Sequence, residues 1–429
     1  MHTDAYGLPV TTSSPEALTA YDRAVDAALG WKANALDLFR DAVARDPDLA
    51  VAHAGAAACL FLEERFLETR AASDAARAAV AAAGVSRREQ SYVDAVTLWT
   101  AGKVPEAERA MREHVLHWPR DLAIVQRLYF VFFWQGKFPE LLEATSDLVR
   151  HHPTSSYMMG MHAFALEEAG RCAEAVQLAA AALARKPDDA WSIHALAHAL
   201  YESGDFDAGV AALPAAIAPC RNLNWFVNHL WWHFALMHLS RGDYARVSEL
   251  SRERFEREPS PIAGNLHDSI SLLWRFELAG RPVGDRWQPF AEIARERVTR
   301  TGLPFHAAHV AMALLGGRDW AMAEQQRALL RERAGKDRTG LMGDVLVPLV
   351  DGLHAFAAGD YARAIASIEP LRPRIVELGG SRAQRDVFHD TLLEACFRAG
   401  DGDRAERYLV ARVARRADHF WLNRRAGAA

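Results

Sequence analysis

Large apolar residues return at helical spacing along nearly the whole chain. No segment shows the period-two alternation that a half-buried strand requires. Each apolar stretch runs into a glycine-containing turn and resumes in a second helix. The turns at Gly102 (TAGKVPEA), Gly136 (WQGKFPEL), Gly170 (EAGRCAEA) and Gly204 (ESGDFDAG) are separated by 34 residues. Steps of 38 lead on to Gly242 (SRGDYARV) and Gly280 (LAGRPVGD), and related turns recur near Gly317, Gly359 and Gly400. Two degenerate units, Pro15–Asp46 and Pro47–Val85, precede the regular ones.

A helix–turn–helix period of 34 residues is that of the tetratricopeptide repeat. Small residues such as Ala197, between Leu196 and Leu200, let paired helices approach, and prolines such as Pro119 and Pro187 end second helices. One hairpin cannot bury its own apolar face, so the units must stack. The expectation is an all-α, tetratricopeptide-repeat-like α-solenoid: a right-handed superhelix of about eleven hairpins, closed around a concave pocket. It is expected to be a single solenoid over residues 1–429, with degenerate repeats in 1–101, regular ones in 102–242 and longer, irregular ones in 243–429. Pro259–Leu266, Lys336–Asp344 and Arg372–Gln384 read as loops reaching over the groove.

Composition narrows the class. Half of the 429 residues are apolar, a quarter are charged, and the net charge of −5 is spread along the chain. There is no basic stripe, so nucleic acid is not an expected partner. The longest strongly apolar run, Leu128–Trp134, is too short to span a bilayer. Cys59, Cys172, Cys220 and Cys396 are isolated and read as reduced core residues. The N-terminus lacks a signal-peptide pattern, so a cytoplasmic, soluble protein is expected.

Chemistry concentrates between Ala190 and Gly242. Two successive first helices each carry His-x-x-x-His, His194 with His198 and His229 with His233. A four-residue offset places both imidazoles of a pair on one helix face, about 5–6 Å apart at Cβ. Trp191, Tyr201, Glu202, Asn228 and Trp232 surround them in sequence.

Several strings resemble those of the tetratricopeptide repeat protein 38 family: SRREQSYVDA, DDAWSIHALAHALYESGDFDAG, NHLWWHFAL, HDSISLLWRFELAGR, AHVAMALLG and QRDVFHDTLLEA. They occur in the same order from about residue 5 onward. The resemblance implies a closed, atypical repeat protein and supplies a fold more than a reaction. His267-Asp268 and His306-Ala-Ala-His309 are richer in histidine than the family pattern.

In this repeat, positions 2, 5, 9, 12 and 13 of the first helix face the concave side. Counting the turn glycine as position 15, Gly204 puts Trp191, His194, His198, Tyr201 and Glu202 at those positions. Gly242 puts His229 and Trp232 at positions 2 and 5, with His233 beside them. Gly280 puts His267 at 2 and Trp274 at 9, and Gly136 puts Phe130 and Trp134 at 9 and 13. Three readings follow. The four histidines, with Asp268 and His309, hold a divalent transition metal such as zinc or perform acid–base chemistry of hydrolase or lyase type. Alternatively, histidines and aromatics line a metal-free site for a small molecule, with Arg385 clamping an anionic group and Phe130 and Trp134 at its apolar end. A third reading has some of them as core histidines. Beside all three stands a non-enzymatic scaffold that binds a partner peptide in the groove.

Overall fold

In a computed structural model, which describes residues 2–300, 302–416, 418 and 421, the chain is built almost wholly of helices. Eleven hairpins follow one another among the described residues, from Pro15–Leu29 with Ala35–Arg45 to Arg382–Arg398 with Gly402–Arg415. One departure from the all-helical expectation is a two-residue antiparallel pair, His2–Thr3 with Pro9–Val10. It lies before the first repeat, where the sequence carries no helical periodicity.

The turn glycines do what their spacing implies. Gly102, Gly136, Gly170, Gly204, Gly242 and Gly280 all have φ between 67° and 80°, the left-handed conformation that ends a helix without a Cβ penalty. Trp31 and Glu64 take the same conformation at φ 58° and 60°, so the two N-terminal units are complete hairpins whose left-handed turn residue is not glycine; in the first, Gly30 precedes it with negative φ. In the ninth unit the left-handed residue is Arg318, one place after Gly317. Of the expected loops, Pro259–Leu266 already enters the helix Ala263–Leu278, and Arg372–Gln384 enters the helix Arg382–Arg398.

First and second helices differ in what they bury. The second helix Phe206–Ile217 hides one stripe, Phe206, Gly209, Leu213 and Ile217, and leaves its other face to solvent. The first helix Ala190–Glu202 hides every residue except Leu196. First helices therefore form an inner layer covered on both sides, and the concave space is filled by side chains.

Both ends of the chain supply that filling. Trp31, in the first turn, stacks on Phe226 at 4.5 Å and lies 5.6 Å from Trp191. Its carbonyl accepts the Asn224 N–H at 2.8 Å. The late segment 376–380 closes the other side against the turn at Gly136. A Cβ on Gly136 would sit 1.9 Å from the Val376 carbonyl oxygen, whereas one on Gly170 would meet nothing within 4 Å. Both glycines are left-handed, so Gly170→Ala is expected to cost about 1–2 kcal/mol of conformational energy alone. Gly136→Ala adds the collision and should cost roughly twice as much or more. Urea unfolding of the two variants measures the difference; equal losses would show that the 376–380 segment yields freely.

All four cysteines are free. Only Cys396 is fully buried; Cys59, Cys172 and Cys220 are partly exposed. Among the described residues no helix is long and apolar enough to cross a membrane.

Candidate functional site

The helices Ala190–Glu202 and Phe226–Ser240 lie side by side in the inner layer and bring the two histidine pairs together. Asp189 caps the first of them, accepting the Trp191 N–H at 3.0 Å, which fixes where the His194 turn begins. His194 Nε2 and His233 Nε2 each approach His229 Nε2, at 3.1 and 3.2 Å. The His198 ring lies 4.5 Å from that of His194 and 4.2 Å from that of His233. One ligand atom from each of the four histidines falls within 4.8 Å of the others.

Asp268, on the neighbouring helix Ala263–Leu278, fixes the tautomer of His229. Its Oδ2 accepts from His229 Nδ1 at 2.9 Å, which leaves Nε2 with its lone pair turned toward His194 and His233. Trp232 stacks flat on His229 at 5.4 Å, and its indole N–H donates to Ser271 Oγ. Phe164 stacks on His194 at 5.4 Å from the preceding repeat. Packing therefore holds the His229 and His194 rings in place.

Burial favours the neutral form of His194, His198 and His233. It pushes His194 and His233 well below the ordinary histidine value, and His198 down to about 3. His198 and His233 are wholly buried; His194 and His229 keep 5% and 7% exposure and form the side nearest solvent. Glu167 Oε2 stands 3.3 Å from His198 Nδ1. Burial, reinforced by the nearby Glu202, raises Glu167 to about 8.

The remaining candidates divide by place. Trp191 is buried beside the cluster, its ring 6.5 Å from His194 and its indole N–H bonded to the Leu29 carbonyl. Phe130 packs on Trp31 and Trp191 in the same aromatic layer. Asn228 is half-buried on the His229 helix. His309 belongs to a separate group: its Nδ1 donates to the Phe305 carbonyl, and its ring is 4.9 Å from His267, which bonds His306 at 2.9 Å. Trp134 lies against His267 and Phe305 in that group. Trp274 is elsewhere, its indole N–H on Thr391 and its ring near Trp287 and Phe356. Glu202 and Tyr201 face the C-terminal segment: Arg416 donates to Glu202 at 2.6 Å and lies over the Tyr201 ring. A cavity of about 10 Å³ beside Tyr201, bordered by Arg275, Asp390 and Arg412, has room for about one water. Arg385 is not free to clamp a ligand, since it bonds Glu168 and the Gly380 carbonyl.

Glu167, Glu168 and Arg416 are site residues that histidine spacing alone does not reveal. The two glutamates occupy positions 12 and 13 counted back from Gly170, so the repeat register does place them on the same wall.

The chain folds as a tetratricopeptide-repeat-like helical solenoid. No protein-family model matches it. Among solved structures, it is similar to a structure of Naa15/Naa10 bound to HypK-THB, at 14% identity over 95% of this chain, with a TM-score of 0.26. The match spans 64% of that chain. It is also similar to the tetratricopeptide domain of P58(IPK), at 13% identity over 90% of this chain and 99% of that one, with a TM-score of 0.20. Both likenesses are remote.

Proposed function

We propose that the protein is a metal-binding solenoid whose centre holds a divalent transition ion, zinc above all, between His194, His198, His229 and His233, and acts there on a small molecule. The observation that supports this most is the meeting of three Nε2 atoms. His229 already spends its one ring proton on Asp268, so its Nε2 offers a single lone pair. Two other ring nitrogens press on that lone pair at 3.1 and 3.2 Å, more than one neutral acceptor can satisfy. Nitrogen ligands about 2.0–2.1 Å from a tetrahedral zinc are separated from one another by about 3.3 Å. The donor set therefore fits such an ion.

In this reading Asp268 orients His229, Trp232 and Phe164 fix the rings, and the slight exposure of His194 and His229 marks the approach. With three of the imidazoles as ligands and the fourth position open, a bound ion would supply Lewis acidity and a water of lowered pKa, which suits hydrolase- or lyase-type chemistry. Kinship with the tetratricopeptide repeat protein 38 family is part of the same proposal, carried by the HALAH and NHLWWH strings.

A second reading, an interaction scaffold, is favoured by the repeat fold itself. Because the inner helices are covered on both sides, a partner would have to use the outer face, where Phe66 and Leu67 stand exposed side by side. Metal analysis separates the two. The purified protein is expected to retain zinc through desalting, and His229→Ala to lose it. Asp268→Asn, which keeps the ligands but not the carboxylate, should weaken zinc binding by about 10–100-fold in a competition with a chromophoric chelator. A wild-type protein that neither retains nor takes up zinc would leave the scaffold reading.

A further inference from the structure

The wall that carries the imidazoles also carries a second set of unsatisfied donor atoms. Glu167 lies in the last turn of the helix Ser156–Glu168, is wholly buried, and neither of its carboxylate oxygens receives a hydrogen bond. His198 Nδ1 is 3.3 Å away but not aligned to donate, and neither ring nitrogen of His198 has a hydrogen-bond partner. Ligand atoms of Glu167, Glu168 and His198 fall within 4.8 Å of one another. Glu168 is anchored, because the Arg382 N–H and Arg385 Nη2 donate to it at 2.5 and 3.1 Å. Glu167 has no such anchor. A buried carboxyl group with no donor at either oxygen is costly unless something else occupies its lone pairs.

We propose that a second divalent cation sits between Glu167 and His198, with Glu168 as a further oxygen donor, so that the imidazole centre is one half of a paired-metal site. This rests on the metal-binding reading above and deepens it. The ligands divide without competition. His194, His229 and His233, whose Nε2 atoms already meet, keep the first ion, and His198 turns its Nδ1 to the second. Three protein ligands and one open position is the composition of a catalytic zinc site, whereas four imidazoles would close the first shell. The mixed oxygen–nitrogen set around the second ion suits zinc, manganese or iron(II).

The test is stoichiometry. Full-length protein stripped with a chelator is titrated with zinc and, separately, with manganese, and bound metal is read by elemental analysis after desalting. Wild type is expected to hold two equivalents and Glu167→Gln one, with a melting temperature no lower than wild type. One equivalent in wild type overturns the second site and leaves the imidazole centre standing. Two equivalents in Glu167→Gln also overturn it, since the carboxylate would then not be a ligand. No bound metal in wild type removes both the second site and the reading beneath it. The wild-type count decides the matter even if the variant does not fold.

Discussion

Between pH 7 and pH 5 the metal-free protein is expected to lose several kcal/mol of stability, seen as a steep fall in its urea midpoint. Burial holds His194, His233 and His267 well below the ordinary histidine value, and brings His198, His306 and His309 down to about 3. In the unfolded chain the same groups titrate near 6.5. A folded value below the unfolded one means that the stability is present above about 6.5. It drains away as the pH falls toward about 3, because only the unfolded chain takes up the proton. Each histidine contributes about 1.4 kcal/mol per pH unit across that window. Glu167 and Asp189 work the other way. Their folded values, raised by burial to about 8 and about 6, make their contribution largest at low pH and lost as the pH rises through those values. Burial also raises Asp4, Glu168, Asp268 and Asp390, and such carboxyls offset part of what the imidazoles lose. A bound divalent ion steepens the decline, since protons then compete with it for the ring nitrogens. A midpoint that stays level from pH 7 to pH 5 would show that the imidazoles are protonated, or solvated, in the folded state.

Much of this site is legible in the sequence, and the part that is not has a common cause. The offset of four residues aligns His194 with His198, and the glycine register turns both toward the inner side; the structure has them there. The same counting from Gly170 reaches Glu167 and Glu168. These are local facts, settled within one or two repeats. Spacing cannot say what stands opposite the wall. Trp31, from a turn outside the 34-residue spacing, projects onto Phe226, and Arg416 arrives at Glu202 from 214 residues further on. Tyr201 and Glu202 thus share the register of the histidines but are occupied by the chain's own C-terminal segment, and Arg385 is taken up by Glu168 and the Gly380 carbonyl. Trp274 and His309 are likewise drawn to other neighbours.

Replacing Arg416 with alanine is expected to be the most damaging single change outside the imidazole cluster. Arg416 is almost wholly buried. Its Nη1 donates to Glu202 Oε1 at 2.6 Å, its Nη2 donates to Asp386 Oδ2 at 3.0 Å, and its guanidinium lies 3.8 Å over the Tyr201 ring. Asp386 keeps Arg412 and Arg415 as partners, and against the cost of burial these cations hold it well below the usual carboxylate range. Glu202 has no comparable reserve, for its other oxygen has only Arg415 at 3.6 Å. Removing one member of a buried ion pair strands the other, at a cost of about 3–5 kcal/mol. Arg416→Lys retains the charge but not the two-pronged donor, and should fall between wild type and alanine. Chemical denaturation of the three proteins orders them; a loss under about 1 kcal/mol for alanine would mean that water reaches Glu202 once the guanidinium is gone.

Repeat arrays ordinarily assemble neighbour by neighbour, each unit secure once the next has been made. The inward reach of both chain ends changes that order during synthesis. Glu168 waits for Arg385, 217 residues later, which at about 5–20 residues per second is on the order of 10–40 s of translation. Over the last 117 residues of that interval, from Asp268 to Arg385, the imidazoles and their carboxylates have all been made but are not yet enclosed. If the centre takes the proposed ion, the ligands are most open to it on the nascent chain, before the last hairpins arrive and shut them in.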